Sequence, residues 1–191
     1  PSLGWLIPDD SVVSKEIIMF NVVLVIDMVK GFLEPGHNLF CGADARTIIP
    51  NIQELLNKEA SAGSGILFIN DNHEVDDLEF NIFPVHCVKG TSEPDVIPEL
   101  VSFITAQNVI PKTRYSGFFN TDLEQRLSGL KPDKLIICGV CTDICVLHTT
   151  SDARNRDYKV EIPRDCVASF DGDAHQWALR HASDILGANV T

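Results

Sequence analysis

Apolar residues follow two alternating rhythms along the chain. "VVLVIDM" (22–28) is a continuous run dominated by β-branched residues, the pattern of a strand buried on both faces. "ARTIIPNIQELLNKEASAG" (45–63) carries helical apolar spacing with Gly63 as its stop. "GILFIND" (65–71) predicts a second strand, "DVIPELVSFITA" (95–106) a helix, and "NVIPK" (108–112) a short strand. "TDLEQRLSGL" (121–130) predicts a helix capped at Asn120 or Thr121. Next come a strand in "KLIICGV" (134–140) and a helix in "TDICVLHTTSDARNRD" (142–157). "KVEIP" (159–163) is a strand, "GDAHQWALRHASDI" (172–185) a helix, and "ANV" (188–190) a last short strand. Strand–helix alternation predicts an open, mostly parallel α/β sheet with helices on both faces. There is no internal repeat, low-complexity tract or linker, so residues 22–191 read as one domain, with 1–21 as an N-terminal extension.

Composition narrows the partners. The 191 residues suffice for one domain with a core of its own. Hydrophobic content of 45% and charged content of 22% are those of a soluble globular chain. The formal net charge of −12 argues against nucleic acid, whose phosphates need a surplus of Lys and Arg. No apolar run reaches the ~20 residues that span a bilayer, so no membrane role is expected. "PSLGWLIPDDSVVSKEIIMF" lacks the basic-then-apolar order of a secretory signal. The six cysteines read as free thiols of a cytoplasmic protein.

In sheets of this kind the site lies beyond the carboxyl ends of the strands. The first strand ends in Asp27, the second in Asp71 with His73 just beyond, and the third in Lys112. The fourth ends at Cys138-Gly139-Val140, followed by Cys141 and Cys145. Singly, an Asp at a strand end is often a turn former and a Lys a solvated surface residue. Acid, base, cation and thiol arriving at one rim form a candidate site.

Three cysteines in "CGVCTDIC" (138–145) admit a redox pair, a metal cluster or a single nucleophile. Cys138 lies within an apolar strand, where a free thiol packs as a small hydrophobe. A redox Cys-x-x-Cys opens a helix after a strand, whereas here the first cysteine is inside the strand. A metal cluster would need a strand residue and a helix residue to converge. With Thr142 as N-cap, Cys145 falls in the first helical turn. Unpaired N–H groups there, and the Lys112 ammonium, predict a lowered thiol pKa, with Asp27 placed to take the proton. Cys145 is thus the candidate nucleophile.

A second constellation is "NDNHEVDDLEFNIFPVHCVKG" (70–90). Asp71 and His73 share one side of an extended chain, and His86 follows after Glu74, Asp76, Asp77 and Glu79. A carboxylate with two imidazoles suits zinc, iron or manganese; an acidic, solvated loop with two surface histidines is the plain alternative.

From about Val22 to Ser169 these residues resemble the isochorismatase-like cysteine hydrolases, and within them the nicotinamidases. "VVLVIDMVKGFLEPG" resembles the strand that supplies the family's aspartate, "IPKTRYSGF" its lysine segment, and "GVCTDICV" its nucleophile loop. "DNH" followed by "FPVHCVKGT" is similar to the nicotinamidase metal site. The resemblance implies a three-layer α/β/α fold with six parallel strands and a triad of Asp27, Lys112 and Cys145. It also implies a cis peptide before Cys141, with the Cys141 and Cys145 N–H groups as the oxyanion hole. It implies a divalent metal, zinc first with iron or manganese as alternatives, on Asp71, His73, His86 and Glu79; Glu74, Asp77 or water could replace Glu79. Phe32, Phe83 and Tyr115 stand where such proteins sandwich a pyridine ring. The implied activity is hydrolysis of nicotinamide to nicotinate and ammonia by a homo-oligomer. Three alternatives stand beside it: a family member acting on another small amide or carbamoyl compound, a non-catalytic thiol protein, and a metallohydrolase that activates water.

Overall fold

The computed structural model describes residues 20–191. Seven strands form one sheet: β1 (Asn21–Ile26), β2 (Gly65–Asp71), β3 (Val109–Lys112), β4 (Lys134–Val140), β5 (Val160–Ile162), β6 (Val167–Ala168) and β7 (Asn189–Val190). Their order is β3-β2-β1-β4-β5-β7, with β6 pairing β4, and every strand pairing is parallel. The six expected strands become seven because one side of β4 is covered in two steps. Leu135 and Ile136 pair with β5, whereas Gly139 and Val140 pair with β6. Pro163 and a 3-10 turn at Arg164–Cys166 separate these two partners; a proline has no N–H to carry a ladder onward. Apart from Phe20 and Asn21, which already opens β1, the expected extension 1–21 lies outside the described residues.

β1 is the spine. Val22 to Ile26 are fully buried, and the pleat divides them between two apolar layers: Val23 and Val25 face one, Val22, Leu24 and Ile26 the other. The first layer is closed by Phe32 and Leu33 of the short α1 (Lys30–Leu33) and by Ile49, Ile52 and Leu56 of α2 (Ile49–Ser61). The second is closed by α3 (Leu123–Leu130), α4 (Leu147–Arg154) and α5 (Gly172–Asp184), through Leu123, Leu127, Ala153, Leu179 and Ala182. This is the expected three-layer α/β/α arrangement. Sheet order departs from β1 in both directions, toward β2 and β3 on one side and β4 on the other. The point of reversal is where such sheets open a crevice at their carboxyl ends.

Three local expectations need correction. Residues 95–106 form no α-helix; only Pro98–Phe103 makes a 3-10 turn. Ile97 is extended before Pro98, as sterics favour. Asp95 O accepts from Lys30 N at 2.9 Å and Ile97 N donates to Met28 O at 3.1 Å, so the segment docks as a strap that buries Val96, Ile97 and Leu100. Second, α3 begins with Asp122 in the cap position; Thr121 helps from one residue earlier by accepting from Leu123 N at 3.2 Å. Third, residues 142–146 form a π-helical turn whose cap position is Cys141, and the Thr142 hydroxyl instead meets His175 Nδ1 at 2.8 Å.

The approach of β4 to β1 depends on one glycine. Gly139 has φ of +111°, and a Cβ there would collide with the Ile26 carbonyl oxygen. Gly139→Ala should therefore lower unfolding free energy by about 3 kcal/mol or more, measured by urea denaturation. Wild-type stability in this variant would show that the contact is not a constraint.

Candidate active site

β1, β2, β3 and the turn after β4 each deliver one group to the crevice. Asp27 follows β1 in a left-handed conformation, φ of 51°, which Asp tolerates better than most residues. Its Oδ1 accepts from Asp71 N at 2.7 Å, and its own N–H donates to Ile69 O at 2.9 Å. Lys112 ends β3 with its side chain fully buried. Its Nζ lies 2.8 Å from Asp27 Oδ2 and 3.5 Å from Cys145 Sγ, and it donates to Asp71 Oδ1. Asp27, Lys112 and Cys145 thus converge from the ends of three elements, with Asp71 as a fourth member of the cluster. The Val140–Cys141 peptide is cis, and the Cys141 carbonyl accepts from both Ile144 N and Val146 N at 3.1 Å.

The three clustered cysteines separate. Cys138 belongs to the apolar layer shared with α2, Cys145 to the opposite one. Cys141 Sγ lies 3.6 Å from Cys41 Sγ, a neighbour 100 residues earlier that local spacing could not reveal. Cys138, Cys141 and Cys145 therefore do not form one metal-binding or redox cluster.

Charge in the cluster is set by burial and mutual contact. Burial, with the charge of Asp71 beside it, raises the Asp27 carboxyl to about 6 against the pull of Lys112. Burial also opposes the charge on Asp71, but Lys112 and the two imidazoles outweigh it and hold this carboxyl well below the usual range. Burial likewise works against the Lys112 ammonium, yet Asp27 and Asp71 keep it charged far into alkali. Cys145 departs from expectation. Burial pushes its thiol up, Lys112 opposes this, and the two carboxylates add to it. The helix start that predicted a lowered pKa is a π turn, and desolvation outweighs it there. At neutral pH these shifts favour a neutral Cys145 thiol beside an Asp27 that is largely ionised.

Beside this cluster lies a second one. Ligand atoms of Asp71, His73, Glu79 and His86 all fall within 4.8 Å of one another, and all four residues are buried. Asp71 Oδ2 is 3.5 Å from His73 Nε2 and 3.6 Å from His86 Nε2; Glu79 Oε1 is 3.8 Å from His86 Nε2. The outer ring nitrogens are engaged elsewhere, His86 Nδ1 with Pro84 O at 2.7 Å and His73 Nδ1 with Asp77 Oδ2 at 3.1 Å. With the Nδ1 atoms so engaged, each Nε2 turns toward the other ligands and, once it gives up its proton, offers its lone pair to a metal. His73 Nε2 is buried without a hydrogen-bond partner. These residues fit a divalent metal. Asp27, Asp71 and Cys145 are similarly close, but Lys112 Nζ already sits among them. Of the acids expected to compete with Glu79, Glu74 is on the surface with Lys89, 2.8 Å away, and Asp77 backs His73.

Above both clusters is a cavity of about 350 Å³, its open mouth included. Phe32, Phe83 and Tyr115, the aromatics that the resemblance singles out, line it, and Leu39, Ile144 and Phe170 complete its apolar wall. These last three carry no signal in the sequence, since nothing separates them from core residues until the loops are folded. The cavity floor reaches Asp27, Asp71, Glu79, His86 and Cys145. The cavity sets apolar, aromatic walls over a floor that carries a thiol and members of the metal-ligating set.

Comparison with known proteins agrees with this geometry. The family model for the Isochorismatase domain matches residues 21–191. An uncharacterized isochorismatase family protein PncA of Bacillus subtilis (strain 168) is 35% identical, covering 90% of this chain and 99% of that protein. The crystal structure of a pyrazinamidase/nicotinamidase from Streptococcus mutans UA159 superposes with a TM-score of 0.85 at 35% identity, over 90% of this chain and 99% of that one. A pyrazinamidase of Pyrococcus horikoshii in complex with zinc gives 0.80 at 27% identity, over 90% and 98% of the two chains.

Lys112 is the cation on which two buried carboxylates depend. Lys112→Met should lower stability by about 3 kcal/mol, because it leaves Asp27 and Asp71 uncompensated, as read by chemical denaturation at neutral pH. Unchanged stability would mean the carboxylates find other partners.

Proposed function

The chain belongs to the isochorismatase family of hydrolases, and from that premise we propose that it is a nicotinamidase, cleaving nicotinamide to nicotinate and ammonia. The observation that carries this reading is the pairing of one thiol cluster with one His-and-carboxylate cluster beneath a single aromatic-walled cavity. A thiol cluster alone suits many small amides. The adjoining metal-ligating set adds a requirement for a substrate with a second, Lewis-basic edge, such as a pyridine nitrogen.

In this scheme Asp71, His73, His86 and Glu79 would hold a divalent ion, zinc first, with iron or manganese also suited to two imidazoles and two carboxylates. When bound, that ion supplies a Lewis-acid site for the ring nitrogen. Phe32, Phe83 and Tyr115 clasp the ring and exclude water. Asp27 takes the Cys145 proton, and Lys112 stabilises the developing thiolate. The thiolate attacks the amide carbon, and the backbone N–H groups of Cys141 and Cys145 receive the oxyanion; such donors are typically worth on the order of 3 kcal/mol each. Protonated Asp27 then returns its proton to the departing amine, which leaves as ammonia. Water, deprotonated by Asp27, hydrolyses the thioester and releases nicotinate. The raised Asp27 carboxyl suits this double duty, since a group near 6 both accepts and gives up a proton at neutral pH.

Ammonia release from nicotinamide should be abolished in Cys145→Ala and reduced at least ~10³-fold in Asp27→Asn. Residual turnover in Cys145→Ala would overturn the thioester scheme. Removal of bound metal with dipicolinate should suppress turnover and added zinc should restore it. Activity on a carbamoyl amide that is indifferent to chelation and to His73→Ala would point instead to another amide substrate.

A further inference from the structure

The candidate metal ligands are not held by the core alone. Asp77 sits beneath two of them. Its Oδ2 meets His73 Nδ1 at 3.1 Å, and its Oδ1 accepts the backbone N–H of Glu79 at 2.9 Å. Asp77 is also the N-cap of the 3-10 turn Leu78–Asn81 that carries Glu79. From the outer side Arg114 Nη1 grips both carboxylate oxygens, at 2.8 and 3.1 Å, and lies 3.9 Å from Glu79 Oε2. The Arg114 side chain is 37% exposed, whereas that of Asp77 is 8% exposed. Arg114 in turn stands between Lys112 of the thiol cluster and Tyr115 of the cavity wall.

We infer that Asp77, clamped by Arg114, is the positioning residue of the metal site: it fixes the His73 tautomer and the Glu79 turn together. The inference rests on the metal reading proposed above. A neutral imidazole carries one N–H. The Asp77 carboxylate can only accept, so it holds that proton on Nδ1 and leaves Nε2 as the ligand atom. It also makes the imidazole a stronger donor to a metal. Arg114 has a second effect. Asp27, Asp71, Asp77 and Glu79 place four carboxylates around the two clusters, against the cations Lys112 and Arg114. A divalent ion would bring these groups to neutrality, so Arg114 tempers a field that would otherwise repel the carboxylates from one another.

Asp77→Asn separates positioning from capping. An asparagine oxygen can still cap Glu79 N–H, but its amide then turns N–H groups toward His73 Nδ1 and favours the tautomer with the proton on Nε2. The full chain should be stripped of metal and titrated with zinc against a chromophoric chelator, and with cobalt(II) while its visible spectrum is recorded. Asp77→Asn should bind zinc about 10–100-fold more weakly, with a changed cobalt spectrum and an unchanged melting temperature of the metal-free chain. If Asp77→Asn fails to fold, Asp77→Ser decides the matter: serine can still cap Glu79 N–H but leaves His73 Nδ1 without its carboxylate, and zinc binding should weaken in the same direction. Wild-type affinity and spectrum in the deciding variant overturn this inference alone. A wild-type chain that takes up neither ion overturns the metal reading itself, and this inference with it.

Discussion

A single buried ammonium ties the site together. Lys112 ends an outer strand with no exposed side chain, yet its Nζ touches carboxylates delivered by β1 and β2 and the thiol that follows β4. A lone charge in that position would be prohibitive, and so would two lone carboxylates. Each is tolerable only with the others in place, so the ends of four strands must hold a fixed register. The parallel pairings that align Asp71 with Lys112, and Ile26 with both Ile69 and Gly139, supply that register.

Asp71 joins the two halves of the site. One oxygen accepts from Lys112 and the other faces His73 and His86. The thiol cluster and the metal-ligating cluster are therefore one electrostatic unit. This explains how neighbouring carboxylates differ: Asp27 is raised to about 6 by burial and by Asp71, while Asp71 is held low by the cations around it. Two aspartates at equivalent strand ends acquire different duties from their surroundings alone, one able to exchange a proton and one fixed as an anion.

Much of this is legible in the amino-acid sequence. β-branched runs mark the strands, because a strand covered on both faces has few other compositions available. Asp27, Asp71, Lys112 and Cys145 stand out because polar groups at strand ends need a reason to be there. Other features are hidden. Residues 95–106 have helical apolar spacing but fold as a strap, since Pro98 and contacts to Met28 and Lys30 outweigh local periodicity. The Thr142 hydroxyl, a good cap by type, is drawn to His175. Asp77 is one acid among several in its loop until folding sets it against His73 and Arg114. The thiol of Cys145 is raised rather than lowered, because sequence position reveals a helix start but not how dry its surroundings are.

The order of residues along the chain was enough to establish the layered α/β architecture, the strand ends that carry chemistry, and the candidate thiol, acid, cation and imidazoles. These follow from local rules: periodicity, strand composition and side-chain type. Folding was needed to show which acid faces which imidazole, which wall residues close the cavity, and what protonation each buried group prefers. Those properties depend on distances between segments remote in the chain, and on the exclusion of water that only their packing produces.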